Sequence, residues 1–471
     1  MKRFTSPLLA VASAVLIASA AAAARPRYGG TLHVETRASL RTLDPSAAPI
    51  DPSDATARTR LLPLVFETLV APDPAGGLRP LLAASWARDA QATSWRFTLR
   101  PGVKLHDGTL LEPAQAATAL RATSDAWRVS STADAIVIMS DRALPDLPWE
   151  LVDARHAIAV RRATELVGTG PFRVDRLEPS RLSLRAHDDY WGSRAFVDAV
   201  QIDMGVGPAD QLSHLEVGRA DIVGVEAPDL GRLLQRGLRA VESRPLELLA
   251  LVFDVNRGAA PSEAMRRALT LAVDRSAICT TLLQRHGQPA PALLPQWLSG
   301  YAALFASGYD RAQARALVAA LPAAQRTLTL RVDPADSLAR AVGERIAVDA
   351  RDAGLAIKIE APAALAPRPD ARLLRVRLEA NSPERALGVA VAVLNSRVTG
   401  LVPLEALPPA GAPLADVYRL ERSLIGQHAV IPIVHVPELY GASARVRSWN
   451  SPVILPTGAW DLANVWLPDK P

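Results

Sequence analysis

Residues 327–361 limit the choice of fold more than any other stretch of this chain. TLTLRVD (327–333) reads as a strand, and LAIKIEA (355–361) as another. Between them, DSLARAVGERIAVDARDAG (336–354) brings Leu338, Val342 and Ile346 into register along one face of a helix. A strand, a helix and a strand at this spacing make a βαβ unit with parallel pairing, and a parallel pair needs a layered α/β setting. The fold class expected is therefore α/β.

The rest of the chain fits that class. GGTLHVET (29–36), TSWRFTLR (93–100), RLSLRAH (181–187) and AVQIDM (199–204) alternate apolar and polar residues as strands do. LRTLDPSAAPIDPSD (40–54), rich in Pro and Asp, reads as a loop, and LLPLVFETLVA (61–71) has near-helical spacing at Leu64, Val65, Thr68 and Leu69. EPAQAATALRA (112–122) begins a helix with Pro113 in its first turn. LLALVFDVN (248–256) is an apolar run of strand length. Ser262, Asp274 and Asp310 are placed to cap the helices that follow, and Gly287 to end one. At about 150 residues per domain, 471 residues suggest two or three lobes.

Several function classes lose support. LVGTGPFRVDRL (166–177) has the glycines and threonine of a phosphate loop, but Pro171 and the alternating FRVD lead into a strand, and no Lys-Ser/Thr pair follows. Gly168–Pro171 is expected to be a sharp architectural turn. The net charge is +5, yet the arginines are spread evenly and form no basic stripe interleaved with aromatic residues, so no nucleic-acid partner is expected. An exported hydrolase would draw its nucleophile from Ser131 or Cys279 and its base from His156 or His286. No glycine-flanked serine elbow and no His pair at zinc spacing occurs. Cys279, the single cysteine, reads as a buried small residue. His106-Asp107-Gly108 reads as a turn rather than a metal site. The start of the chain, with Lys2, Arg3 and the apolar run Pro7–Ala18, reads as a signal peptide over 1–24. It has no nearby cysteine for a lipid anchor, and the protein is expected in the periplasm.

Several pieces, in order, resemble one family. They are YGGTLHVETRASLRTLDP, then LVFETLVAPDPAGGLRPLLAASWARDAQATSWRFTLRPGVKLHDGTLLEPAQAATAL, then VGTGPFRV with DDYWG and LEVGRADI. MRRALTLAVDRSAI with GQPA and GYDRAQARALVAAL follow. Together they resemble the extracytoplasmic solute-binding proteins, family 5, that serve peptide, nickel and related ABC importers. The resemblance runs from about 28 to 360, thins over 361–430 and returns at IPIVHVPELYG.

The resemblance implies a two-lobed periplasmic-binding-protein fold (class II, cluster C-like) with an extra domain inserted in the first lobe. Lobe one would comprise 25–60, 168–247 and 437–471, the insert 61–167, and lobe two 248–436. A peptide or related polar solute would be held between the lobes and passed to an ABC permease, unchanged and without a cofactor or metal, by a monomer. The ligand-facing residues expected are Glu35, Thr36, Arg37 and Ser39 after the first strand, Asp254, Asn256 and Arg257 at the start of lobe two, and Trp297. Two departures stand out. Peptide-binding members place an aspartate in a Trp/Gly-rich segment late in lobe two, whereas residues 376–400 here hold neither Trp nor Asp, leaving Glu379 and Glu384 as candidates. The insert is also short. These departures motivate an alternative, a binding fold that has left transport and serves as a sensor or docking module.

Overall fold

A computed structural model describes residues 25–73, 77–163, 165–255, 260–305, 308–334, 336–360, 368–378, 382–396, 398, 401, 406–409, 412–449 and 458–468. The expected signal peptide, Asn256, Arg257 and Glu379 lie outside them. Among the described residues an eleven-stranded mixed sheet runs through the molecule. Its order from one edge is Phe172–Glu178, Arg181–Ala186, Ala199–Met204, Thr31–Thr36, Ile222–Gly224, Val430–Ala442, Arg239–Phe253, Ala371–Arg377, Thr327–Arg331 and Ala356–Glu360. The short strand Gln288–Pro289 pairs beside Val430–Ala442.

The expected βαβ unit is present. Thr327–Arg331 and Ala356–Glu360 pair in parallel and are joined by the helix Ser337–Ala353. Asp336 caps that helix by accepting from the Ala339 N–H at 2.9 Å, and Gly354 ends it in the left-handed region at φ 97°. Ser262, Asp274 and Asp310 cap their helices in the same way.

Two long antiparallel strands, Arg239–Phe253 and Val430–Ala442, join the halves of the sheet. Their outer ends pair 239–242 with 439–442, and their inner stretches pair 247–252 with 430–436. Between these stretches Pro245 stands opposite Pro437, and the register shifts on both sides. Neither proline has an N–H to give, so the ladder is interrupted where the chain crosses. Beyond the crossing, Leu248, Ala250 and Val252 point into one core, and Leu249, Leu251 and Phe253 into another. Burial on both faces explains why the sequence there is continuously apolar. The first half has a core of its own around Leu32, Val34 and Ile202. A further core, around Trp95, Phe97 and Leu120, belongs to the four-stranded sheet of Ala83–Arg88, Ser94–Leu99, Ala135–Met139 and Arg128–Ser131 with the helix Pro113–Arg121.

Two expectations are corrected around residue 61. The helix is Pro52–Leu61, inside the stretch read as a loop, and only a short 3-10 turn, Leu62–Leu64, follows it. Its buried positions are Asp54, Ala57, Arg58 and Leu61. Two of those are charged, which hides the helical period. Asp54 accepts from the Arg41 and Ile50 N–H groups, and Arg58 donates to the Asp44 and Pro45 carbonyls at 2.8 Å. Leu61, Leu62 and Leu64–Phe66 pack with Leu32 and Ile202, while Leu69 and Val70 pack with Trp95 and Phe97.

The turn at Gly168–Pro171 lies against the backbone of Val65. A Cβ on Gly168 would sit 2.2 Å from the Val65 carbonyl oxygen, and one on Gly170 2.7 Å from the Val65 carbonyl carbon. His106 clamps the turn: its Nδ1 accepts from the Gly168 N–H, and its Nε2 donates to the Gly170 carbonyl at 3.1 Å. Burial pushes the His106 ring down to about 4, which keeps it neutral for this double role. The glycines serve close backbone packing.

Gly170→Ala is therefore expected to lower stability by about 2 kcal/mol or more, because Val65 is backbone and cannot rotate away. Urea denaturation would check this, and a loss below about 0.5 kcal/mol, the level of an ordinary surface change, would contradict the account. A second prediction concerns pH. His435, buried in a crossing strand, donates from Nε2 to the Leu293 carbonyl at 2.9 Å, and burial pushes its ring down to about 4. The unfolded chain takes up this proton near pH 6.5 and the folded chain only near 4. The contribution is thus complete above about pH 6.5 and is lost as pH falls toward 4. Glu421, whose carboxyl burial pushes up to about 7, acts in the opposite sense between 4.5 and 7. The difference between wild type and His435→Gln isolates the histidine, and it should shrink steadily from pH 7 to pH 4 in chemical denaturation.

Candidate functional site

The crossing strands floor a cleft of about 790 Å³ between the two halves. Thr31–Thr36 and the helix Pro52–Leu61 bring Glu35, Thr36, Arg37, Ser53, Thr56 and Arg60 to one wall. The start of the helix Ser337–Ala353, the turn Thr281–Gln284, and Arg375 and Arg377 supply the opposite wall. Glu247 and the stretch Val436–Tyr440 form the floor.

A chain of ion pairs crosses this floor. Arg60 from the first half meets the Glu438 carboxylate at 2.6 Å, and Arg377 from the second half meets it at 2.7 Å. Tyr440 donates to the same carboxylate at 2.7 Å, and the Trp460 indole N–H donates to the Tyr440 oxygen at 3.1 Å. Burial by itself would push the Glu438 carboxyl up. The two guanidiniums outweigh it and hold the group down to about 2. Beside this set, Arg375 forks onto Asp336 with two bonds of 2.7 Å and also meets Glu247 at 2.6 Å. A forked guanidinium fixes direction as well as distance. Asp336 is also the cap of the long helix, so Arg375 ties the helix start to the floor.

One acidic residue reaches both sides of the cleft. Glu226 follows the strand Ile222–Gly224, accepts from Arg37 at 3.4 Å, and accepts from the Ser337 hydroxyl at 2.8 Å. Glu35 is buried and pairs with His214 through Oε1 at 2.8 Å, while its Oε2 has no hydrogen-bond partner. Burial pushes the Glu35 carboxyl up.

Of the residues expected to face a ligand, Glu35, Thr36 and Arg37 do line the cleft. Ser39 stands behind them and takes the Ser53 hydroxyl as acceptor for its own N–H at 3.1 Å. Asp254 is elsewhere: it lines a separate hollow of about 270 Å³ with Arg368, Asp370 and Asn395. The reason is strand direction. Arg239–Phe253 enters the second half at the crossing, so its C-terminal end points away from the cleft. Trp297 sits against the crossing from outside, donating its indole N–H to the Pro245 carbonyl at 2.9 Å beneath the Arg244 guanidinium. Arg60, Glu226, Glu247, Asp336, Arg375, Arg377 and Glu438 were not anticipated. A signal existed for some of them: Arg375, Arg377 and Glu438 interrupt strands whose other residues are largely apolar, and a charge in such a run is usually paired.

The side chains considered for hydrolysis are engaged otherwise. Cys279 is buried, which pushes its thiol up to about 12. His156 bonds Thr123 and Arg155, and His286 pairs with Glu242. Among the described residues no cluster of three His, Cys, Asp or Glu side chains is arranged to hold a metal.

Residues 143–377 match the middle region described as bacterial extracellular solute-binding proteins, family 5. The HTH-type transcriptional regulator SgrR of Salmonella typhimurium is 28% identical over 266 residues, which cover 51% of this chain and 45% of that protein. The chain spans about half the length of the curated relatives it matches. Two solved structures share the fold over nearly the whole chain. NikA from Brucella suis in complex with Fe(III)-EDTA superposes with a TM-score of 0.79 at 17% identity, covering 93% of this chain and all of that one. The ABC transporter substrate binding protein CtaP from Listeria monocytogenes superposes with a TM-score of 0.78 at 14% identity, covering 94% and 100%.

Glu438→Gln should leave Arg60 and Arg377 without their shared counter-charge. A loss of about 3 kcal/mol is expected, the lower end of what breaking one side of a buried pair costs. Denaturation of Glu438→Gln, Arg60→Met and the double variant checks this: the double variant should lose less than the two single losses added together, and additive losses would contradict the coupling.

Proposed function

The chain belongs to the bacterial extracellular solute-binding proteins of family 5, and from that premise we propose that it captures a small polar solute, a peptide or a related molecule, between its halves and delivers it to the permease of an ABC importer. The family is extracytoplasmic, and the proposed route for this chain is export through the signal peptide over 1–24 to the periplasm. The proposed lobes are 25–60, 168–247 and 437–471 against 248–436, with 61–66 joining the first lobe by its packing. The protein would act as a monomer and would leave its solute chemically unchanged.

The observation that carries this reading is the cleft itself. Its floor is the pair of crossing strands, interrupted at Pro245 and Pro437, and both halves send polar side chains into it. Two bodies joined by such a floor close about it as a hinge, and a solute between them is buried from both sides. Of the residues proposed to face it, Glu35, Thr36 and Arg37 are best placed. A second reading keeps the same cleft but ends in a signal rather than transport. The match to a protein named as a transcriptional regulator favours it.

Native mass spectrometry of the protein, purified gently from its own periplasm, tests the proposal. A discrete added mass that disappears on denaturation is expected. Bare protein from every growth medium tried would overturn solute capture, and a bound solute whose uptake is unaffected when the protein is deleted would favour the signalling reading over transport.

A further inference from the structure

We propose that the solute this cleft selects is an organic cation, an amine or guanidine carried on an aliphatic body; the inference rests on the reading of the cleft as the solute site. Among the described residues lining it, six side chains are carboxylates and four are guanidiniums, with no lysine and no histidine. All four guanidiniums already have carboxylate partners. Arg60 and Arg377 share Glu438, Arg375 holds Glu247 and Asp336, and Arg37 meets Glu226. An anionic solute would have to draw Arg60, Arg375 or Arg377 away from a largely buried partner, and the charge left behind makes that exchange unfavourable, or else compete with the half-exposed Glu226 for Arg37.

A cation meets the opposite situation. Glu35 is 5% exposed, and its Oε2 is a buried oxygen without a hydrogen-bond donor. A buried, under-satisfied carboxylate favours whatever brings it an N–H and a positive charge. Glu226 retains 37% exposure of its side chain, and its contact with Arg37 is long, at 3.4 Å. Turning toward a solute would give up this long contact and the bond from the Ser337 hydroxyl at 2.8 Å, less than parting a buried guanidinium from its carboxylate. Val225, Leu282, Leu338 and Leu439 add apolar wall to the same cleft, so hydrocarbon between or behind the charged ends would be covered. The unpaired Glu35 oxygen, the loosely held Glu226 and the aliphatic wall all favour the same chemistry.

Isothermal titration calorimetry with four probes tests the inference: agmatine and cadaverine as cations, glutarate as a dianion and dialanine as a zwitterion. At least one cation is expected to bind about tenfold or more tightly than glutarate or dialanine. Glu226→Gln should weaken that binding by about tenfold, and Glu35→Gln should do the same, with circular dichroism reporting whether each variant is folded. Should Glu35→Gln fail to fold, Glu226→Gln, at a half-exposed position, still decides. Tighter binding of glutarate or dialanine overturns the inference, as does amine binding indifferent to Glu226→Gln, or no binding by either amine. The solute reading is judged separately by the native mass spectrum. A bound mass that proves to be a neutral or anionic compound would overturn the cation inference and leave solute capture standing.

Discussion

Glu438 holds the two halves of the molecule to a common floor. It sits on a crossing strand, one residue past Pro437, and takes a guanidinium from each side, Arg60 and Arg377. The hydrogen-bonded ladder is weakest at this point because Pro245 and Pro437 face each other. Backbone continuity is thus reduced where charge attraction is strongest. The ladder permits a change of angle between the halves, and the shared carboxylate limits how far they separate. Arg375, forked onto Asp336 and resting on Glu247, extends the same control to the start of the long helix.

That arrangement also sets the electrical character of the cleft. Arg60, Arg375 and Arg377 are used for structure, so the proposed preference for a cation turns on the acidic groups held less tightly, Glu35 and Glu226. The charge of the whole chain, +5, points the other way and gives no guide to the cleft.

The fold was legible where burial follows a period. The βαβ unit, the alternating strands and the side-chain caps depend on neighbours within a few residues, and the structure has them where the pattern indicates. The double-sided burial of Leu248–Phe253 also leaves its mark, as a run without polar breaks. The helix Pro52–Leu61 was not legible because Asp54 and Arg58 occupy its inner face, bonded to the loop before it. The cleft was only partly legible. The end of the first strand does reach the cleft, whereas Asp254, expected there from chain order, lines a separate hollow because its strand runs the other way. The ion pairs of the floor join residues from five separate stretches of the sequence, a kind of adjacency that local patterns do not carry.

The order of the strands has a consequence for how the protein comes to be. Arg239–Phe253 has Ala371–Arg377 on one side and Val430–Ala442, near the far end of the chain, on the other, and Ile222–Gly224 leans on that same late strand. Until the late strand emerges, the floor of the cleft has no second half and Glu438 is absent from the site. Pairings so distant in sequence are closed slowly and late. A chain of this design keeps its two halves apart through most of its synthesis and becomes a single object only at the end, a schedule compatible with being threaded through a membrane before it folds.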